Sequence, residues 1–354
     1  MANAAGGHII YGIRDKRGED NQSTGIAEGL AGLSLSTVQT EIARFSNLIR
    51  NSIAPRLTGI AMQTVTHTDG DVLVIHIPKS WSRPHMVTID GVNKFFGRVA
   101  TGKYPMSVDE IGRAFSEQGE LREMIARWRA HRVELALKDK GPMLLAGEVT
   151  MLFHVIPESA FMRRELRGTW RISDQEANCI YVPHRGTNRR YNADGFIASA
   201  RAGNALEAYG YAQLFRSSRI MEYADSGCFR SIGYGTEISA IYGQFLEQQM
   251  VQCYKDAITR IRKEDRTEAL YIGFSLIGIA DKRFHVSLLR GQVVYIDNPN
   301  VFISPEVFVD PNEPDEHPFP KTLLPLVDTM WQVTGLDGTP FKLDGEWKPF
   351  HEWQ

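Results

Sequence analysis

With 354 residues, 43% hydrophobic and 23% charged, the chain has enough apolar content to bury real cores and no compositional sign of disorder, so two domains are expected. A formal net charge of −2 excludes a uniformly cationic protein, and any nucleic-acid affinity must come from a local patch. Net charge is +3 over residues 1–140, +2 over 141–300 and −7 over 301–354, which concentrates the acid at the C-terminal end.

Residues 8–13, His-Ile-Ile-Tyr-Gly-Ile, predict a strand, followed by a charged, glycine-containing loop from Arg14 to Gly25. Val38, Ile42, Phe45, Ile49 and Ile53 recur at helical spacing, with Ser36 as the expected N-cap and Pro55 closing the segment. Strands follow at about 58–66 and 72–77, with Asp69-Gly70 as a hairpin signal. A second hairpin, Met86 to Ile89 and Lys94 to Val99, should turn at Asp90-Gly91. One helix is expected from Ser107, with Asp109 and Glu110 in its first turn, and another from Glu120 to about Lys138. The arginines of the latter, Arg122, Arg127, Arg129 and Arg132, interleave with Glu123 and Glu134 and predict a salt-bridged solvent face. Gly141-Pro142 ends that helix and marks the domain boundary.

The second domain opens with strand-like residues 143–156 and continues through an irregular, basic, glycine-rich middle. A helix from about Glu237 to Lys263, a strand from Leu270 to Ile279 and strands within 288–304 come next. A Pro/acid-rich loop from Asp310 to Pro320 precedes a last helix, Thr322 to Val333. In the middle, Arg163, Arg164, Arg167, Arg171, Arg185, Arg189, Arg190 and Arg201 mix with Trp170, Tyr181 and Tyr191. That composition suits a single-stranded nucleic acid, and equally a scattered basic surface.

Several chemistries find no support. Cys179, Cys228 and Cys253 lack zinc-site spacing and read as reduced thiols, and His154 and His184 stand alone. Gly7 to Gly12 lacks the Lys-Ser/Thr that closes a phosphate loop, and no Gly-x-Ser-x-Gly elbow occurs. No apolar run approaches the roughly 18 residues of a membrane span. A soluble, cytoplasmic chain without membrane partners is expected.

The first hundred residues are the most specific. Ala2-Asn3-Ala4-Ala5-Gly6-Gly7, a strand, and Gly12-Ile13-Arg14-Asp15 are similar to the Ala-Asn-x-x-Gly-Gly-strand-Gly-Val-x-Asp core of Schlafen AlbA_2 domains. Ile53-Ala54-Pro55, the strand ending at Pro78, Pro84-His85, Phe95-Phe96-Gly97-Arg98 through Thr101 to Met106, and Asp109-Glu110-Ile111 follow in that family's order. The resemblance covers about residues 2–118, and the ordered set carries it rather than any one motif. Gly6-Gly7 reads either as a sharp turn or close backbone approach, or as a helix C-cap.

The resemblance implies an α/β (α+β) fold: a mixed-sheet AlbA_2-like domain over 1–118, a connecting helix over 119–141 and a second α/β domain of unassigned role over 142–354. It implies a nucleic-acid-binding protein, RNA or DNA, of a kind often labelled DNA-binding or ATP-binding in prokaryotes and acting mainly through phosphate contacts. Arg98 stands where the family carries an arginine. Lys94 and Lys103 flank it, and Arg14, Lys16 and Arg17 add charge that Glu19 and Asp20 partly cancel. Ordinary solvated surface is the competing reading of these cations.

Asp15 stands where nuclease-active Schlafen proteins carry an Asp that joins two upstream glutamates in an acidic triad. Those glutamates have no counterpart, because the chain starts inside the Ala-Asn-x-x-Gly-Gly motif. Asp15 is therefore expected to be catalytic and metal-binding, with Mg²⁺ or Mn²⁺, only if other acids complete the site; otherwise it is a solvated turn residue and the chain is no enzyme. A metal-dependent RNase and a non-catalytic subunit of a complex are the alternatives. A homo-oligomer or partner protein covering the edge that a missing segment would expose is the accompanying expectation.

Overall fold

The computed structural model describes residues 1–31, 33–99, 102–161, 171–184, 186, 188–201, 207–233, 237–264, 268–285, 293–295, 300–311, 320–343 and 345–348. The chain divides into two units, Met1–Arg122 and Glu123–Gln354. The first contains β1 (Gly7–Tyr11), β2 (Ile13–Arg17), β3 (Ser23–Leu30), α1 (Leu35–Ser52), β4 (Ile53–Ala54), β5 (Ala61–Val65), β6 (Val72–Ile77), β7 (Met86–Ile89), β8 (Val92–Val99), β9 (Gly102–Pro105) and the first half of α2 (Val108–Leu137).

The 3.6-residue spacing seen in the sequence becomes the buried face of α1. Val38, Ile42 and Phe45 pack with Ile9, Met62, Leu73 and Ile75 of the antiparallel sheet β1-β6-β5. Its N-cap is Ser34, whose side chain accepts from the Thr37 N–H at 3.3 Å, two residues earlier than expected. A second sheet has the order β4-β7-β8-β9. Its β7–β8 turn falls at Asp90 and Gly91, with φ of 51° and 75°, the left-handed pair that a two-residue hairpin favours.

Residues Arg14 to Gly25, read as a loop, belong instead to the antiparallel hairpin β2–β3. Register breaks at Arg14/Asp15 and Asp15/Arg17 spoil the two-residue alternation by which a strand is recognised. The two helices expected from Ser107 and Glu120 are one helix, α2, begun by a reciprocal cap in which Ser107 N donates to Glu110 Oε2 at 2.8 Å and Glu110 N to Ser107 Oγ at 3.3 Å.

The second unit takes residues 123–137 of α2, then β10 (Leu144–Leu145), β11 (Thr150–Pro157), α3 (Asp174–Asn178), β12 (Asn188–Tyr191), β13 (Gly195–Arg201), β14 (Glu207–Phe215), β15 (Met221–Asp225), β16 (Phe229–Gly233), β17 (Glu237–Tyr242), α4 (Gly243–Lys263), β18 (Leu270–Ile277), β19 (Arg283–His285), β20 (Val293–Tyr295), β21 (Val301–Ile303), β22 (Val307–Val309) and α5 (Leu324–Gln332). Its main sheet runs β12-β13-β14-β15-β11-β18-β21, with β10 parallel to β14 and β22 on β18. The mixed α/β class expected from the sequence is what the structure shows. The supposedly irregular middle supplies four of these strands, β12 to β15. The helix expected from Glu237 starts only at Gly243, because residues 237–241 pair with β16 and Tyr242 with His285 of β19.

Alternation along β11 sorts the core. Met151, Phe153 and Val155 join Leu246, Met250 and Tyr254 of α4 on one face. Leu152 joins Val133 of α2, Ile197, Tyr211, Ala224 and Ile277 on the other. The latter face holds a correction to the solvated arginine helix. Arg129 and Arg132 are buried, on the α2 stripe that also carries Val133.

Arg132 donates to both oxygens of the buried Glu222 at 2.7 Å each; Tyr211 OH donates at 2.7 Å and His154 Nε2 lies 2.9 Å away. Burial alone would raise the Glu222 carboxyl, yet hydrogen bonds from Arg132 and His154 and their charge hold it well below the ordinary range. Arg129 donates to the carbonyls of Ser304 and Phe274 at 2.7 Å and pairs with Glu306. Its guanidinium fits only because residue 273 is glycine: a Cβ there would stand 2.7 Å from Arg129 Cζ. Among the described residues no helix is long and apolar enough to cross a membrane.

Candidate nucleic-acid interface

Lys94, Phe96 and Arg98 occupy alternate positions of β8 and so share one face of it. Arg98 stands opposite Lys103 in the β8–β9 ladder, and Lys103 Nζ lies 5.3 Å from the centre of the Phe96 ring. All three cations are exposed, and among the described residues none of them is in a salt bridge. Like charges directly opposite on a ladder repel, so the strand pair holds a charge arrangement that an anion would relieve.

The Ala-Asn-x-x-Gly-Gly segment has a structural job beside this ladder. Asn3 Nδ2 donates to the carbonyls of His85 and Phe96 at 2.9 and 3.0 Å, and Asn3 Oδ1 accepts from His85 N at 2.7 Å. Ser80 N donates to Ala2 O at 3.1 Å. Gly6, at φ +78°, lies so close to the 78–85 loop that a Cβ would stand 2.7 Å from Lys79 N, which makes Gly6 a close backbone approach rather than a helix cap. His85 Nδ1 is 2.7 Å from Pro55 O, and burial lowers its pKa. The Met1 amine is lowered first by burial and then by the charge of Arg98.

This loop holds residues the sequence reading passed over. Lys79 Nζ sits 4.1 Å from the centre of the Trp81 ring, and Arg83 pairs with Glu117. Single cations between Pro78 and Pro84 form no run, so composition gave no signal for them.

The remaining expected cations form a separate group on the β2–β3 hairpin. Arg14 Nε donates to Leu30 O at 2.8 Å and Arg17 to Asn21 O at 3.2 Å, while Lys16 is exposed. Asp15 lies within β2, opposite Ala27, and its Oδ1 is buried without a hydrogen-bond partner among the described residues. It is neither past a strand end nor a solvated turn residue. Among the described residues no three His, Cys, Asp or Glu side chains gather to hold a metal ion, and Asp15 alone does not fit a divalent cation, which takes six or more oxygen ligands.

Residues 1–107 match the Schlafen, AlbA_2 family model. The match agrees with the resemblance read from the sequence, and the matched segment contains every expected site residue: Asp15, Arg14, Lys16, Arg17, Lys94, Arg98 and Lys103. No curated protein and no solved structure matches the chain.

Arg163, Arg164, Arg167, Trp170 and Arg185 lie beyond the described residues, as do Thr101 and most of the Asp310 to Pro320 loop. Of the rest of the basic, aromatic middle, Arg171, Arg190 and Arg201 are exposed, but Arg189 Nε donates to Ala177 O at 2.7 Å. Tyr191 OH accepts from Ile172 N at 2.9 Å, and Tyr181 OH donates to Gln249 Oε1 at 2.5 Å. Those rings serve the fold. His184 Nε2 is 3.0 Å from Asp225 Oδ1, a buried carboxylate. Glu247 of α4 is fully buried and accepts from Trp331 Nε1 and Thr339 Oγ1 at 2.5 Å and from Trp347 Nε1 at 2.8 Å. Burial outweighs these three donors and, with Asp328 adding its charge, raises the Glu247 pKa to about 7.

Proposed function

We propose that this chain is a cytoplasmic nucleic-acid-binding protein that grips phosphates through Arg98, Lys94 and Lys103, with Arg14, Lys16 and Arg17 of the β2–β3 hairpin adding charge. Residues 1–118 are the binding domain, 119–141, mostly the C-terminal part of α2, the connection, and 142–354 a C-terminal α/β domain of unassigned role. The observation that carries this reading is the Arg98–Lys103 pair, two exposed like charges held opposite each other with no salt bridge among the described residues. The family points the same way, toward nucleic-acid association. Because the protein as a whole is slightly acidic, binding is weak and falls steeply with salt.

Titration of labelled single- and double-stranded RNA and DNA at low and moderate salt tests this. Replacing Arg98, Lys94 and Lys103 together by alanine should weaken binding to all sequences about equally and flatten the salt slope by roughly 2 to 3, at 0.7–0.9 per phosphate contact. The melting temperature should hardly move. No binding to any of the four ligands at low salt refutes the reading, and a collapse of stability would make Arg98 a structural residue instead.

A further inference from the structure

We infer that the loop 78–85 extends the β8–β9 cations into a site for single-stranded nucleic acid, with Trp81 as the ring on which a base stacks and Lys79 as a phosphate contact. The inference rests on the nucleic-acid reading above and narrows it to one kind of strand.

Burial alternates along this loop. Ser80 and Ser82 are buried, and Ser82 N donates to Ser80 Oγ at 3.1 Å, whereas Lys79, Trp81 and Arg83 between and beside them are partly exposed. A cation, a ring and a second cation therefore follow one another on the solvent side. The loop is pinned next to β8, since Asn3 binds His85 and Phe96 at once and Arg83 donates to Asn3 O at 3.4 Å. Trp81 is thus presented on a loop that Asn3 ties to β8, the strand that carries Phe96 and Arg98.

The same local device occurs twice. Lys79 lies over the ring of Trp81, and Lys103 lies over the ring of Phe96. In each, a cation rests on the face of an aromatic side chain, an arrangement worth little in water and readily exchanged. A phosphate drawn to the ammonium leaves that ring face to a base. Arg83 pairs with Glu117, whereas Lys79 is in no salt bridge among the described residues; burial and then the charge of Arg83 lower its pKa, with Glu117 offsetting them only in part, so an incoming anion would relieve it.

Base stacking on a protein ring requires a base whose face is open. In a duplex both faces are covered by neighbouring pairs, and a ring on a rigid loop cannot part them; in a single strand each base can turn out. Cations that follow the backbone with rings between them make a surface for single strands that is indifferent to sequence.

The full chain is titrated with fluorescein-labelled dT20 and with a 20-base-pair duplex at several salt concentrations, for the wild type and for Trp81→Leu, Trp81→Phe and Lys79→Ala. The expected result is tighter binding of dT20 than of duplex. Trp81→Leu should weaken dT20 roughly tenfold or more while leaving its salt slope and the duplex affinity unchanged. Trp81→Phe should restore most of that loss, since it keeps a ring. Lys79→Ala should lower the dT20 salt slope by about 0.7. Melting curves of the variants exclude a folding defect as the cause. Equal binding of dT20 and duplex, or losses in Trp81→Leu that are the same for both, would overturn the single-strand assignment while leaving phosphate binding intact. Absence of binding by the wild type at low salt would instead remove the broader reading, and this inference with it.

Discussion

Replacing Glu247 by glutamine tests what a buried carboxylate without a cation costs this fold. Its folded pKa of about 7 exceeds the ordinary glutamate value of 4.5, so the folded state holds the proton more tightly than the unfolded chain does. The sign follows from that difference. The contribution to stability is fully present below about pH 4.5, is lost as pH rises through 7, and is constant above it. At roughly 1.4 kcal/mol per tenfold change in proton affinity, the loss is on the order of 3 kcal/mol, or about 10 °C in melting temperature for a unit of this size. The assay is the melting temperature of the wild type and Glu247→Gln from pH 4.5 to 8. Burial lowers the pKa of His154 and of His285, which makes their contributions rise with pH, so the difference between the two curves isolates Glu247. Glutamine turns an N–H toward a donor such as Trp347 Nε1 and shifts the whole curve; only the slope of the difference decides. A variant curve that runs parallel to the wild type across this range refutes the reasoning.

Three further outcomes follow from the geometry. Arg132→Met should destabilise by about 3–5 kcal/mol in urea unfolding, because Glu222 is left as a buried charge with its principal partner gone; replacing Arg132 and Glu222 together by Met and Gln should cost less than the single change. Asp15→Ala should leave the melting temperature unchanged or raise it, since Asp15 Oδ1 is buried without a donor among the described residues, and thermal unfolding reads this directly. Incubation with tRNA and single-stranded RNA in Mn²⁺ should give little cleavage, the same in Asp15→Ala as in the wild type; robust cleavage lost in Asp15→Ala would mean that acids such as Glu19 or Asp20 complete a site.

Local signals were legible where the determining chemistry was itself local. The Asp90-Gly91 hairpin and the α1 stripe needed only neighbouring residues to be read. What failed depended on distant partners. Nothing within α2 distinguishes Arg129 and Arg132 from Arg127, because the groups that bury them, Glu306 and Glu222, are 177 and 90 residues away. The β2–β3 hairpin hid behind bulges and charged side chains. The start of α4 was misplaced because Ile238 and Ile241 fit a helical spacing with Phe245 although their backbone pairs in β17. The candidate interface was half legible. Arg98 stands out by motif and Lys103 only by its place beside it, whereas nothing local marks Lys79 and Trp81, whose loop Asn3 ties to β8.

The close approach of Arg129 to Gly273 makes two positions 144 residues apart conditional on one another. A methyl group at 273 displaces a guanidinium that the Ser304 and Phe274 carbonyls and Glu306 hold in place, so Gly273→Ala alone should be damaging. Beside a shorter residue at 129 the same methyl group would fill vacated space. A genetic screen for suppressors of Gly273→Ala should therefore return substitutions at position 129, and the order in which the two changes arise would decide whether a lineage passes through an unstable intermediate.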